Sequence, residues 1–428
     1  MSKVLTLSKK QLEYLEWEFG VFFHFGIRSF YPGHKDWDGL DMPLSGFNPT
    51  DLNADEWCQT AKNAGATYVL LTCKHHDGFA LWQSGYTEYG VKNTPWKGGK
   101  GDVVREYVDA ARRAGLKVGL YYSPAQWGAT AVKFENGKEY DDYFINQISE
   151  LLTGYGKIDY LWFDGCGSED HEYDKKRIVN EIFRLQPDIL TFCNADWYPT
   201  VRWIGNEDGY ASMNNPLVVR SIYFSELATK ADTFPEDTCI PAECDAKMRN
   251  SWFFDNNEDT LKSLDELFGM YEASVGNGSN FLLNISPDDR GRLPEADKNR
   301  LLELGEKIRK YETPTGGFGN AYKDGEKEYS IKAAEYDMPW GTRGKNPQVI
   351  NRIVIEEDLT DGQNVKAFDV YFYPSVYKDR KLLVYRGATI GRKKICHIPA
   401  IYASKITVEI TESDGEAKIK SIKTYKVN

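Results

Sequence analysis

No stretch of the 428 residues is both long and purely apolar, so no membrane-spanning helix is expected. There is no cationic surplus either. The 53 Lys and Arg face 64 Asp and Glu, and the net charge of −11 disfavours nucleic acid and anionic membranes as partners. The seven cysteines, at 58, 73, 166, 193, 239, 244 and 396, form no Cys-x-x-Cys pair and no His–Cys cluster, so structural zinc is not expected. Their odd number argues against a disulfide scaffold. Internal repeats and low-complexity segments are absent. Met1-Ser-Lys-Val4 opens without the apolar core of a secretory leader. If such a leader has been removed, a periplasmic or secreted location is expected.

Aromatic residues are abundant, at 14% of the chain with 11 Trp and 27 Tyr, and many stand beside Gly, Asp or His. Stacking on sugar faces is one use for them; filling the core of a large enzyme is another. The length suffices for one large core and a smaller one.

From about residue 10 to about 310 the chain alternates helix and strand. Asn53-Ala-Asp-Glu56 offers a helix N-cap, and the helix ends at Gly65. Thr67–Thr72 reads as a buried strand. The cycle repeats with a helix over Asp102–Ala114 and a strand over Lys117–Tyr122. It repeats again with a helix over Asp141–Leu152 and a strand ending at Asp164. A further helix over Lys175–Leu185 precedes a strand over Ile189–Phe192. This rhythm marks an α/β fold with a parallel sheet, and its length favours a closed (β/α)8-like barrel. Thr313-Pro-Thr-Gly-Gly-Phe-Gly-Asn320 reads as a linker. Short alternating runs follow: Val349–Ile355, Phe368–Tyr373, Lys381–Tyr385 and Ile406–Ile410. They predict a C-terminal antiparallel β-sandwich. The expected division is a barrel over 1–312 and a sandwich over 313–428.

Several apolar strands stop on chemistry-bearing residues: Gly20-Val-Phe-Phe-His24, Leu71-Thr-Cys-Lys-His75-His76-Asp77, Tyr121-Tyr-Ser123 and Trp162-Phe-Asp164-Gly165. In a barrel these ends converge on one face, where catalytic residues collect. Asp164 could instead cap a following helix, but Gly165, Cys166 and Gly167 make a poor helix start. Adjacent side chains on a strand point opposite ways, so His75 and His76 are not expected to share a metal ion. Neutral histidines serving as donors to substrate hydroxyls are the preferred reading. Two carboxylates from different strand ends suit glycoside hydrolysis, one attacking and one protonating the leaving oxygen. Asp164 and Glu207 form the best pair; Asp208 competes with Glu207, and Glu243 is a further alternative.

These motifs resemble the α-L-fucosidases of glycoside hydrolase family 29 over residues of about 10 to 310. The resemblance is carried by His24-Phe-Gly26, Lys74-His-His-Asp-Gly-Phe79, Gly119-Leu-Tyr-Tyr-Ser123, Trp162-Phe-Asp-Gly165 and Gly278-Ser-Asn-Phe-Leu-Leu-Asn-Ile285. It implies an irregular barrel with a C-terminal sandwich and a retaining mechanism; no cofactor or metal is expected. Asp164 matches the nucleophile. His24, His75, His76, Tyr121 and Trp162 match residues that hold the sugar. Arg202-Trp-Ile-Gly-Asn-Glu207 resembles the acid/base motif of the branch that cleaves α-1,3/1,4-linked fucose from branched Lewis-type glycans. By the same resemblance Arg249 and Trp252 reach the substrate. Asp36-Trp37 stands where that branch is expected to carry Glu-Trp, and both residues join the expected contacts. The implied partner is a fucosylated oligosaccharide or glycoconjugate. An α-L-galactosidase side activity is a second reading, because a hydrophobic pocket rejects one extra hydroxyl by only about a hundredfold. A sugar-binding protein without turnover is a third.

Overall fold

The computed structural model describes residues 5–33, 40, 42–126, 137–165, 171–223, 230–316, 318–333, 335–337, 343–345, 348–374 and 380–428. Asp36 and Trp37 therefore lie outside the described residues.

Among the described residues, ten strands precede the linker. They are β1 (Phe19–Phe23), β2 (Tyr68–Lys74), β3 (Lys117–Tyr122), β4 (Tyr160–Phe163), β5 (Leu190–Phe192), β6 (Arg202–Trp203), β7 (Val218–Ile222), β8 (Asp232–Cys239), β9 (Ala242–Lys247) and β10 (Asn280–Asn284). Eight of them form one parallel sheet in the order β5-β4-β3-β2-β1-β10-β9-β6. A parallel bridge between Phe192 and Val201 joins the two ends and closes the ring. The remaining pair, β7 and β8, is an antiparallel hairpin between β6 and β9 that the sequence reading did not anticipate.

Helices cover the barrel where the periodicity places them. α1 (Lys9–Leu15) precedes β1, α2 (Ala54–Asn63) lies between β1 and β2, and α3 (Val103–Arg113) between β2 and β3. α4 (Gly137–Gly154), α5 (Lys175–Leu185), α6 (Leu264–Ser274) and α7 (Glu295–Ile308) follow. Asn53 and Asp102 cap α2 and α3, each accepting from the backbone N–H three residues on. Between β5 and β6 only a short 3-10 turn, Ala195–Trp197, is found, which makes the barrel irregular at that point.

Strands β1, β2 and β10 are buried along their whole length, as expected of a parallel sheet covered by helices. One glycine in β1 has a specific purpose. A Cβ at Gly20 would lie 2.3 Å from the Tyr68 ring, so glycine there makes room for Tyr68 to point into the barrel.

After the linker the strands are antiparallel and curl around one 20-residue strand, Lys394–Ser413. They enclose their own core of Ile331, Ile353, Val370, Ile406 and Val408. Val354, Ile395 and Tyr425 from this part join the barrel core instead. The Arg352–Glu272 and Arg392–Glu18 ion pairs also tie the two parts together. No helix among the described residues is long and apolar enough to cross a membrane.

Candidate active site

Because all eight barrel strands are parallel, the residues just past their ends share one face. Asp164 follows β4, and its Oδ2 accepts a 2.7 Å hydrogen bond from the Tyr121 hydroxyl on the neighbouring β3. His76 Nε2 lies 3.6 Å from the same oxygen. Ser123 donates its hydroxyl hydrogen to the Ala125 carbonyl, so its oxygen accepts from His76 Nδ1 at 2.6 Å and fixes that ring. His75 stacks on Tyr121 with ring centroids 5.5 Å apart, and its Nδ1 is buried with no hydrogen-bond partner among the described residues.

His24, past the end of β1, packs on Trp252 at 4.8 Å and against Phe253 at 5.4 Å. Its Nδ1 lies 2.7 Å from Asn284 Oδ1. The Asn284 amide nitrogen donates to the Trp252 carbonyl and to Ser286, which leaves Oδ1 as the atom facing His24. His24 Nδ1 must therefore be the donor, and Nε2 carries a lone pair. Burial holds this imidazole neutral, pushing its pKa down to about 3; His75 is pushed down by the same cause, with His76 and His24 adding. The expectation of histidines acting as donors is thus corrected for His24, whose remaining nitrogen is an acceptor.

Glu207 lies in the loop after β6. Its Oε2 is 2.5 Å from Lys247 Nζ and accepts from Trp252 Nε1 at 3.2 Å. The Lys247 ammonium also sits 4.9 Å from the Trp252 ring centre. Glu207, Trp252, His24, Tyr121 and Asp164 thus form one continuous chain of contacts across the barrel face, since His24 and Tyr121 are 5.8 Å apart. Beneath Glu207, Asp245 accepts from Trp203 Nε1 at 2.7 Å. Burial pushes its carboxyl well above the usual range, and the Glu207 charge adds to the shift.

Trp162 is turned inward. Its indole N–H donates to Glu243 at 2.9 Å, one face stacks on Phe192 at 4.2 Å, and Tyr121 packs at 5.3 Å. Glu243 is fully buried and also accepts from Tyr14, Tyr68 and Tyr160 at 2.7, 2.8 and 3.0 Å. Burial raises its pKa against the pull of these four donors. This arrangement places Glu243 inside the barrel as a hub for aromatic donors, not at the mouth beside Glu207.

Arg249 does not join the cluster through its guanidinium. The group forks onto Asp297 of α7, with Nε at 2.8 and 3.0 Å and Nη2 at 2.5 Å, and Nη1 donates to the Asn257 carbonyl. Asp297 and the Asn257 carbonyl thus set the orientation of the guanidinium that was expected to reach a sugar.

His75 and His76 do not follow strand alternation. β2 ends at Lys74, both histidines stand beyond it, and their rings are 4.2 Å apart. Strand alternation no longer applies there. With Asp164 they present one ligand atom each within 4.8 Å of one another. Sequence reasoning gave no role to Lys247, Asn284 or Ser123. The latter two stand in motifs already singled out, and that was the available signal.

A parallel barrel carrying carboxylates, neutral histidines and aromatic rings at its strand ends has the architecture of a glycoside hydrolase. Residues 42–313 match the family model described as alpha-L-fucosidase. Alpha-L-fucosidase 1 of Arabidopsis thaliana is 32% identical over 438 residues, covering 94% of this chain and 84% of that protein. The crystal structure of SpGH29 superposes with a TM-score of 0.85 at 29% identity, covering 99% of each chain. A Ruminococcus gnavus GH29 fucosidase in complex with fucose gives a TM-score of 0.83 at 26% identity, covering 99% of this chain and 95% of that one. The chain belongs to the α-L-fucosidase family and is a glycoside hydrolase.

Proposed function

We propose that this α-L-fucosidase works by double displacement, with retention at the anomeric carbon, on α-1,3/1,4-linked fucose of branched Lewis-type oligosaccharides. Asp164 would be the nucleophile and Glu207 the acid/base. In the first step an Asp164 oxygen bonds to the anomeric carbon as the glycosidic C–O bond breaks, and the Glu207 proton goes to the leaving oxygen. In the second, Glu207 takes a proton from water, whose oxygen displaces Asp164.

The observation that carries this reading is the Tyr121–His24–Trp252 bridge, which links the two carboxylates across one barrel face. Neutral His24 and His75 supply polarity without charge beside an oxocarbenium-like centre, and His24 Nε2 suits a sugar O–H. The ion pair of Glu207 with Lys247 suits the ionised base of the second step. The exposed Tyr210 follows Glu207 in the loop, where a second sugar would lie.

Proton NMR of early product tests the stereochemistry: α-fucose should appear first and then mutarotate. A fucose-bound structure should hold the two carboxyl groups about 5–5.5 Å apart. Truncating the branched substrate to an aryl fucoside should lower kcat/KM about tenfold or more. First-formed β-fucose would overturn the retaining mechanism, and equal kcat/KM on both substrates would overturn the branch specificity.

A further inference from the structure

The loop bearing Glu207 is held from behind by the C-terminal antiparallel part. The turn itself is closed locally, with Asn206 accepting from the Asp208 N–H at 3.1 Å and donating to the Tyr210 carbonyl at 3.1 Å. Gly209 has a positive φ of 75°, and a Cβ there would sit 3.0 Å from Ala246, so the turn lies tightly on β9. Beyond Tyr210 the support comes from elsewhere. Asn277 donates to the Ala211 carbonyl at 2.9 Å. Thr389 accepts from the Asn215 N–H at 3.0 Å, and Gln363 accepts from the Leu217 N–H at 2.8 Å.

Lys394 joins these contacts. It is fully buried, and its Nζ donates to the Met213 carbonyl at 2.9 Å and to Asn277 Oδ1 at 2.8 Å. It thereby grips the loop directly and also orients the side chain that holds Ala211. Burial pushes its pKa down to about 8, because an ammonium loses its hydration here. An apolar residue of similar length would avoid that cost but leave the Met213 carbonyl and the Asn277 amide without this donor.

We infer that Lys394 is a positioning residue for the acid/base: it sets the loop from Glu207 to Leu217, so that the C-terminal part governs protonation of the leaving group. The inference rests on the reading of Glu207 as acid/base. Proton donation matters most when the leaving group is a poor one, such as a sugar hydroxyl. It matters least when the leaving group departs unaided, such as dinitrophenolate.

The test compares the full-length protein with Lys394→Met, Lys394→Arg and Glu207→Gln. Substrates run from 2,4-dinitrophenyl α-L-fucoside through the phenyl fucoside to a fucosylated oligosaccharide. Lys394→Met should lower kcat/KM about tenfold on the phenyl fucoside and the oligosaccharide, and less than about twofold on the dinitrophenyl compound. Lys394→Arg should recover part of the loss. Glu207→Gln should show the same leaving-group dependence with a larger amplitude. If Lys394→Met does not fold, Thr389→Val removes a milder support of the same loop and is read on the same series. A uniform loss across all leaving groups, or no loss, overturns the role of Lys394 while Glu207→Gln keeps its dependence. If Glu207→Gln itself shows none, the acid/base reading fails first and the inference falls with it.

Discussion

The Tyr121 hydroxyl and the His76 imidazole converge on one oxygen, Oδ2 of Asp164, at 2.7 and 3.6 Å. The Tyr121 hydroxyl thus fixes one carboxylate oxygen while the carboxylate as a whole stays partly exposed at the barrel face. Removing the Tyr121 donor should cost orientation rather than folding. A hydrogen bond to a charged group contributes about 1.5–3 kcal/mol, so Tyr121→Phe should lower kcat by roughly ten- to a hundredfold. Asp164→Asn should fall below a few per cent of the parent kcat while still binding fucose, as seen by calorimetry. An Asp164→Asn protein that turns over normally would remove it as the nucleophile.

Glu243 gathers three tyrosine hydroxyls and one indole N–H from α1, β2 and β4. Glu243→Leu strips the acceptor from all four, and each buried donor left unpaired costs about 1–3 kcal/mol. Glu243→Gln keeps one acceptor oxygen, and the tyrosine hydroxyls can rotate to accept from its amide. Scanning calorimetry should rank melting temperatures as parent, then Gln, then Leu. A Leu variant as stable as the parent would show that the hub holds nothing together.

His24 gives a pH dependence of defined sign. Its imidazole stays neutral in the folded protein down to about 3, against an ordinary value of 6.5. Between those values the unfolded chain binds the extra proton, so stability falls as the pH drops through 6.5 toward 3. The His24→Asn protein should therefore lose less melting temperature than the parent between pH 6.5 and 5. Parallel curves would mean that His24 is not held neutral.

Much of this was legible in the chain because it is local. The apolar runs ending at His24, Tyr121 and Asp164 became strands with those residues at their ends, and Lys117–Tyr122 and Lys175–Leu185 agree residue for residue with β3 and α5. What was hidden depends on closure of the ring. Glu243 meets Tyr14 across 229 positions, and Lys394 meets Met213 across 181. No periodicity encodes such pairs. The place of Arg249 in its motif is visible in the chain, whereas its partner Asp297, 48 residues on, is not. The placement of the histidine pair was hidden for a different reason: alternation ends with the strand, and β2 stops one residue before His75.

Among the described residues the ring closes through one β-bridge, Phe192–Val201, where strands of three and two residues approach each other. Asp164 stands one strand to one side of this joint and Glu207 just past the other. The molecule is in this respect a split collar, with its two working groups mounted on either side of the gap. The direct path between them crosses the β4–β5 pairing and this bridge, whereas the path the long way round runs through the other six paired interfaces. The Val201 amide, which donates to the Thr191 carbonyl at 3.0 Å, should exchange faster than the ladder amides of β1 and β2, and whatever stiffens that joint fixes the gauge of the collar.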